Sequence, residues 1–152
     1  MKTKTKIALV ISKILVILVF IALAALSFTI PKITDYYVRN LSHVVNAASL
    51  SKPTVAFLYA ALVPAFAAII ALALMIRNIA HEVIFVKKNA AYLRTISIAC
   101  FAEAAVFFGF GFFYILAFVI SFAALFIGVM LSIVTDLMSQ AADIKAENDY
   151  TI

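Results

Sequence analysis

The sequence predicts an all-α integral membrane protein, a bundle of four transmembrane helices with both termini in the cytoplasm. Three observations predict it. Of the 152 residues, 67% are hydrophobic and the mean hydropathy is +1.19. Soluble domains run at about 45–50% apolar, and a fold this small cannot bury such an excess, so it must face lipid. The 12 basic and 7 acidic residues gather between long uncharged runs. Finally, the basic residues divide unevenly between the two sides that those runs define.

The first span follows Lys2, Lys4, Lys6 and Lys13. Residues 7–30 make about 36 Å of helix, enough to cross a bilayer. A signal peptide also starts basic and ends in small residues, here near Ala22 to Ser27. The apolar run continues to Pro31, past the ~7–15 residues of a signal core, which favours a retained helix. Residues 31–53, bracketed by Pro31 and Pro53, read as an outer loop with a short helix near 35–48. Tyr36 and Tyr37 suit the aromatic interface.

Residues 53–76 carry no charge and form the second span. Its eight alanines permit close helix approach. Pro64 lies near its middle, where it should kink the helix and free a carbonyl. The basic stretch 77–94 comes next. From 95 to 135 the only charge is Glu103. One helix of that length would measure about 62 Å, twice the hydrocarbon thickness, so the chain must turn back. Gly109 and Gly111 mark the turn, giving a third span over 95–110 and a fourth over 113–135. The tail, 136–152, is polar.

Orientation follows from the basic residues. Lys2, Lys4, Lys6, Lys13, Arg77, Lys87, Lys88, Arg94 and Lys145 fall on one side; Lys32, Arg39 and Lys52 fall on the other. Nine against three puts the termini and the 77–94 loop inside. The basic residues flank apolar runs rather than forming a stripe along a phosphate backbone, so direct nucleic-acid binding is not expected.

Two stretches carry a resemblance. Residues 85–96 fit an F-x-x-x-N-x-x-x-L-R-x-I pattern through Phe85, Asn89, Leu93, Arg94 and Ile96. The chain closes on Lys145, Glu147, Asn148, Asp149, Thr151 and Ile152, similar to K-x-E-N-D-L-T-I. Both resemble a family of small bacterial four-helix membrane proteins known only as a domain of unknown function. The resemblance implies a multi-pass protein of the bacterial cytoplasmic membrane. It also implies a partner, since such proteins are often encoded beside a helix-turn-helix regulator. Tyr150 stands where the pattern has Leu, and Val86 where a Pro commonly follows the Phe. The second departure allows 77–94 to run as a continuous helix.

Glu103 is the most informative single residue. An intramembrane carboxylate costs a few kcal/mol on insertion scales, so it should face the bundle, protonated or paired. Lys13 lies at similar depth in the first span, and a Lys13–Glu103 pair or a shared hydrogen-bond network is the expectation. Glu103 then acts as interhelical glue, with a proton or cation carrier as the alternative role. The 77–94 loop holds four basic residues against one acidic; the tail holds four acidic against one basic. The two are complementary and are expected to dock on each other, with a partner competing for one of them. Phe85, Lys87, Lys88, Asn89, Arg94, Lys145, Glu147, Asn148 and Asp149 are the candidate partner-binding residues.

Catalytic and cofactor readings find no support. His81-Glu82 opens like a zinc-protease helix, but Phe85 stands where the second His is needed. His43 is alone in its loop. Cys100, the one cysteine, has no base or second thiol nearby and reads as a small hydrophobe. Membrane glutathione-type enzymes need Arg, Asn and Glu sets near helix ends that this chain lacks. Ala124, Gly128 and Ser132, with Ala105 and Gly109, place small residues at four-residue spacing. They read as packing within one chain, with a homo-oligomer face as the alternative. The function expected is therefore non-catalytic: holding a cytoplasmic regulator through the inner loop and tail. The alternative is a small transporter or toxin-immunity protein built on Glu103.

Overall fold

The computed structural model describes residues 3–40, 47–81, 84 and 86–149. It is all-α, with four helices: α1 (Thr3–Asn40), α2 (Ala47–Ala80), α3 (Lys87–Gly111) and α4 (Leu116–Asp149). All four contain segments long and apolar enough to cross a membrane, namely Ile7–Tyr37, Ser51–Ala80, Lys87–Gly111 and Leu116–Asn148. Between 0% and 22% of their apolar windows is buried within the protein. The remaining apolar surface has only lipid to cover it, and the protein is a multi-pass membrane protein.

The helices run alternately up and down and pack in chain order: α1 on α2, α2 on α3, α3 on α4. The bundle is thus open, with α1 and α4 at its two edges. One end carries the start of α1, the α2–α3 connection and the end of α4; it is called the charged end below. The opposite, tyrosine end carries the α3–α4 turn.

Helix lengths differ from the sequence expectation for a physical reason. Pro31 does not end α1, which runs on to Asn40. A proline leaves the carbonyl four residues earlier without its amide donor, here that of Ser27. The Tyr59 hydroxyl of α2 donates to that carbonyl at 3.0 Å. A neighbouring helix thus replaces the missing bond, as membrane helices with internal prolines require. Pro53 and Pro64 likewise lie within α2. The expected helix near 35–48 is, up to Asn40, the end of α1; residues 41–46, His43 among them, lie outside the described residues. The 77–94 stretch is not a continuous helix. α2 stops at Ala80, Val86 is extended (φ −140°, ψ 146°), and α3 opens at Lys87, eight residues before the expected start of the third span.

The α1–α2 seam is closed by Val16, Ile69 and Ile76, with Leu9, Leu23, Phe66 and Leu72 packed around them. Phe20 meets Phe66 edge-on at 5.6 Å. The α3–α4 seam uses small residues. A Cβ on Gly128 would come within 3.2–3.3 Å of Cys100 and Phe101, so its absence sets the helix spacing. Two hydroxyls bridge this seam: Ser97 donates to the Gly128 carbonyl at 2.8 Å, and Ser121 to that of Ala104 at 2.7 Å. Gly128 of the small-residue stripe is therefore committed to packing within one chain.

The turn between α3 and α4 falls where the glycines predict it, at Phe112–Ile115 just after Gly111. A Cβ on Gly111 would lie 2.6 Å from the Phe118 ring, so only glycine lets α4 fold back this closely. Phe108, Phe112 and Phe118 form a mutual edge-to-face cluster beside it.

Candidate functional site

At the charged end, α3 and α4 meet as a charge ladder. Lys87 and Arg94 stand two turns apart on α3, hence on one face. Asp143 and Asp136 stand two turns apart on α4. Because the helices are antiparallel, the two rows oppose each other. Lys87 Nζ lies 2.8 Å from Asp143 Oδ1, and Arg94 Nη2 lies 4.0 Å from Asp136 Oδ1. Between the rungs is a cavity of about 280 Å³ whose lining includes Ala90, Ala91, Thr135 and Ser139. The oppositely charged loop and tail therefore touch through these helical extensions. Exposed pairs of this kind contribute little to stability and weaken with salt. The ladder joins the surfaces without locking them.

Asn89 has a different place from the one expected. It was a candidate contact residue, but its exposure is 0%. Its side-chain amide donates to the Ile84 carbonyl at 2.8 Å, and its Oδ1 accepts from Asn78 Nδ2 of α2 at 2.8 Å. The backbone amides of Asn89 and Ala90 both reach the Val86 carbonyl. Asn89 thus latches the α2–α3 connection and positions Lys87 and Lys88 beside it.

The other candidates divide cleanly. Lys88, Arg94, Lys145, Glu147 and Asn148 are exposed on the charged end. Asp149 is the last residue of α4, and Phe85 lies outside the described residues. Asp136, Asp143 and Asn78 were not among the candidates. The matched seven-residue spacing of Lys87 and Arg94 against Asp136 and Asp143 is the signal that identifies the first two. Asn78 carries no comparable signal, since only the fold brings it to Asn89.

The expected Lys13–Glu103 pair is not formed. Lys13 is exposed on α1, and α1 packs against α2 rather than α3. Glu103 lies one turn beyond Ala99, which faces Val63, Pro64 and Ala67 of α2 across a cavity of about 300 Å³. It is half-buried, and its Oε2 is buried without a hydrogen-bond partner among the described residues.

Residues 40–152 fit the family described as Protein of unknown function (DUF2975). The chain belongs to this family. The DUF2975 match begins at the last residue of α1 and takes in α2, α3 and α4, and with them the latch and the ladder. No curated protein and no solved structure matches the chain.

Proposed function

We propose that this DUF2975 protein is a non-catalytic regulator of the bacterial cytoplasmic membrane. It sits with both termini inside and holds a cytoplasmic helix-turn-helix protein on its charged end. The ladder is the observation that carries this reading. Lys87 and Arg94 on α3 and Asp143 and Asp136 on α4 join the two segments into one two-signed surface. Its rungs are weak enough for a partner of complementary charge to displace. The nine-to-three bias of basic residues supports the orientation, and the resemblance of the 85–96 and 145–152 motifs supports the kind of partner.

The test is purification of the tagged protein from its native cell in mild detergent, with mass spectrometry of what copurifies. A near-stoichiometric DNA-binding protein, lost when residues 143–152 are deleted, is the expected result.

Glu103 favours a second reading, a small transporter, because its buried Oε2 lacks a partner and such groups mark ion and proton paths. Glu103→Gln separates the two. Regulator capture survives the change, whereas proton-coupled transport in proteoliposomes does not.

A further inference from the structure

The cavity of about 280 Å³ between the rungs of the charge ladder lies at the depth of the lipid headgroups. Counted from Leu116, the first residue of α4, about 30 Å of hydrocarbon takes about 20 residues of helix and ends near Thr135. The headgroup layer adds roughly 5–8 Å beyond it. Arg94 and Asp136 therefore stand at the hydrocarbon edge. Lys87 and Asp143, two turns further along the same helices, stand about 10 Å further from the bilayer centre, at the outer side of the headgroup layer. Ile98, one turn deeper than Arg94, lines the cavity and is 61% exposed, so its outer surface meets the lipid chains.

The charged lining carries one sign. Lys87 and Arg94 border the cavity together with Thr95, Thr135 and Ser139, whereas Asp136 and Asp143 do not. The cations keep donors to spare, since a guanidinium has five N–H donors and an ammonium three. Arg94 Nη2 stands 4.0 Å from Asp136 Oδ1, beyond hydrogen-bond range. Lys87 makes one contact of 2.8 Å to Asp143. Both basic side chains are well exposed, so an incoming group can reach them. Thr95 and Thr135 turn their hydroxyl protons back on the Ala91 and Leu131 carbonyls, which leaves Ser139 as the wall hydroxyl able to donate inward.

We propose that this groove seats the phosphate of an anionic phospholipid between Lys87 and Arg94, with an acyl chain running down past Ile98. Depth selects a lipid headgroup over a soluble anion, because the groove spans the headgroup layer and its deep end opens on the hydrocarbon. Charge selects an anionic headgroup. A zwitterionic one would bring an ammonium group that no lining carboxylate meets. Chemistry selects phosphate, whose oxygens match the planar fork of an arginine and the point charge of a lysine. Basic pockets between membrane helices hold anionic headgroups in this way. The inference rests on the membrane-spanning architecture and not on the regulator reading.

The sequence contains no tryptophan, so Ile98→Trp places a single fluorescent reporter on the floor of the groove. The full-length Ile98→Trp protein is reconstituted in phosphatidylcholine vesicles. Dibrominated phosphatidylglycerol or dibrominated phosphatidylcholine, which quench a ring they touch, is then titrated in. Phosphatidylglycerol should be preferred, by about fivefold for each of the two cations. In the same background Lys87→Gln and Arg94→Gln should each lower the preference about fivefold, and together abolish it, while quenching by phosphatidylcholine stays at the parent level. Lys87→Arg, which keeps the charge, should retain the preference. Lys88→Gln with Lys145→Gln removes the same charge outside the groove and should leave it nearly unchanged. Equal quenching by the two lipids in the parent overturns the proposal. So does an equal loss in the Lys88/Lys145 variant, which marks diffuse attraction, or relief of the quenching by inorganic phosphate in the buffer, which marks a soluble-anion site. The vesicles hold no cytoplasmic partner, so failure here leaves regulator capture untouched.

Discussion

Replacing Asn89 by Ala removes the latch of the α2–α3 connection. Among its interactions, two hydrogen bonds of 2.8 Å between described residues disappear, one to the Ile84 carbonyl and one from Asn78. Each contributes about 1 kcal/mol net. The Ile84 carbonyl belongs to an exposed residue and can turn to water. Asn78 is half-buried, so its amide recovers only part of its loss. The sum is about 2 kcal/mol, or roughly a 30-fold rise in the open population of this connection. Hydrogen exchange reads that population directly. The amides of Asn89 and Ala90 donate to Val86, and the amide of residue 90 remains available in the variant. Its protection should fall about 30-fold in Asn89→Ala. Asn78→Ala, which removes only the bond between Asn78 and Asn89, should lower it by about tenfold or less. Unchanged protection in Asn89→Ala would refute the latch. Equal losses in the two variants would show that the Ile84 bond contributes nothing.

Three further substitutions probe the packing. Gly111→Ala puts a methyl 2.6 Å from the Phe118 ring; the strain should destabilise the α3–α4 turn by about 1–3 kcal/mol, read as earlier thermal unfolding through dye labelling of the single thiol, Cys100. Tyr59→Phe leaves the Ser27 carbonyl without either donor and should cost about 0.6–1.7 kcal/mol in detergent unfolding; Pro31→Ala, by restoring the backbone amide, should reduce that loss, and an undiminished loss would remove Tyr59 from this role. Lys87→Glu sets two carboxylates against each other and should slightly loosen the end of α4, seen as faster exchange of the α4 amides near Asp143; adding Asp143→Lys should restore the slow rate, and both effects should shrink in high salt.

The overall architecture was legible because bilayer thickness is a hard constraint. A 41-residue stretch with one charge must fold back, and glycines are where it can. The oppositely charged loop and tail were legible too, because charge needs no knowledge of packing. Helix ends were not. Pro31 looked like a terminus, yet Tyr59, distant in sequence, supplies the bond that lets α1 continue. The basic residues from Lys87 to Arg94 looked like a loop, but they lie on a helix extending past the apolar region. The Lys13–Glu103 pair failed because depth alone cannot say which helices are neighbours, and α1 turns out to be an edge helix. Asn89 was misjudged for a related reason: its motif is visible in sequence, but its burial depends on Asn78 and the Ile84 carbonyl.

The most direct measurement of the central claim is the copurification experiment on the native, full-length protein, carried out in parallel with a Lys87→Glu/Arg94→Glu variant. One soluble DNA-binding protein is expected at near-equal amount, retained by the parent and lost with both the double substitution and deletion of residues 143–152. A protein that emerges alone from the native cell, or a partner held equally by all three forms, would contradict it.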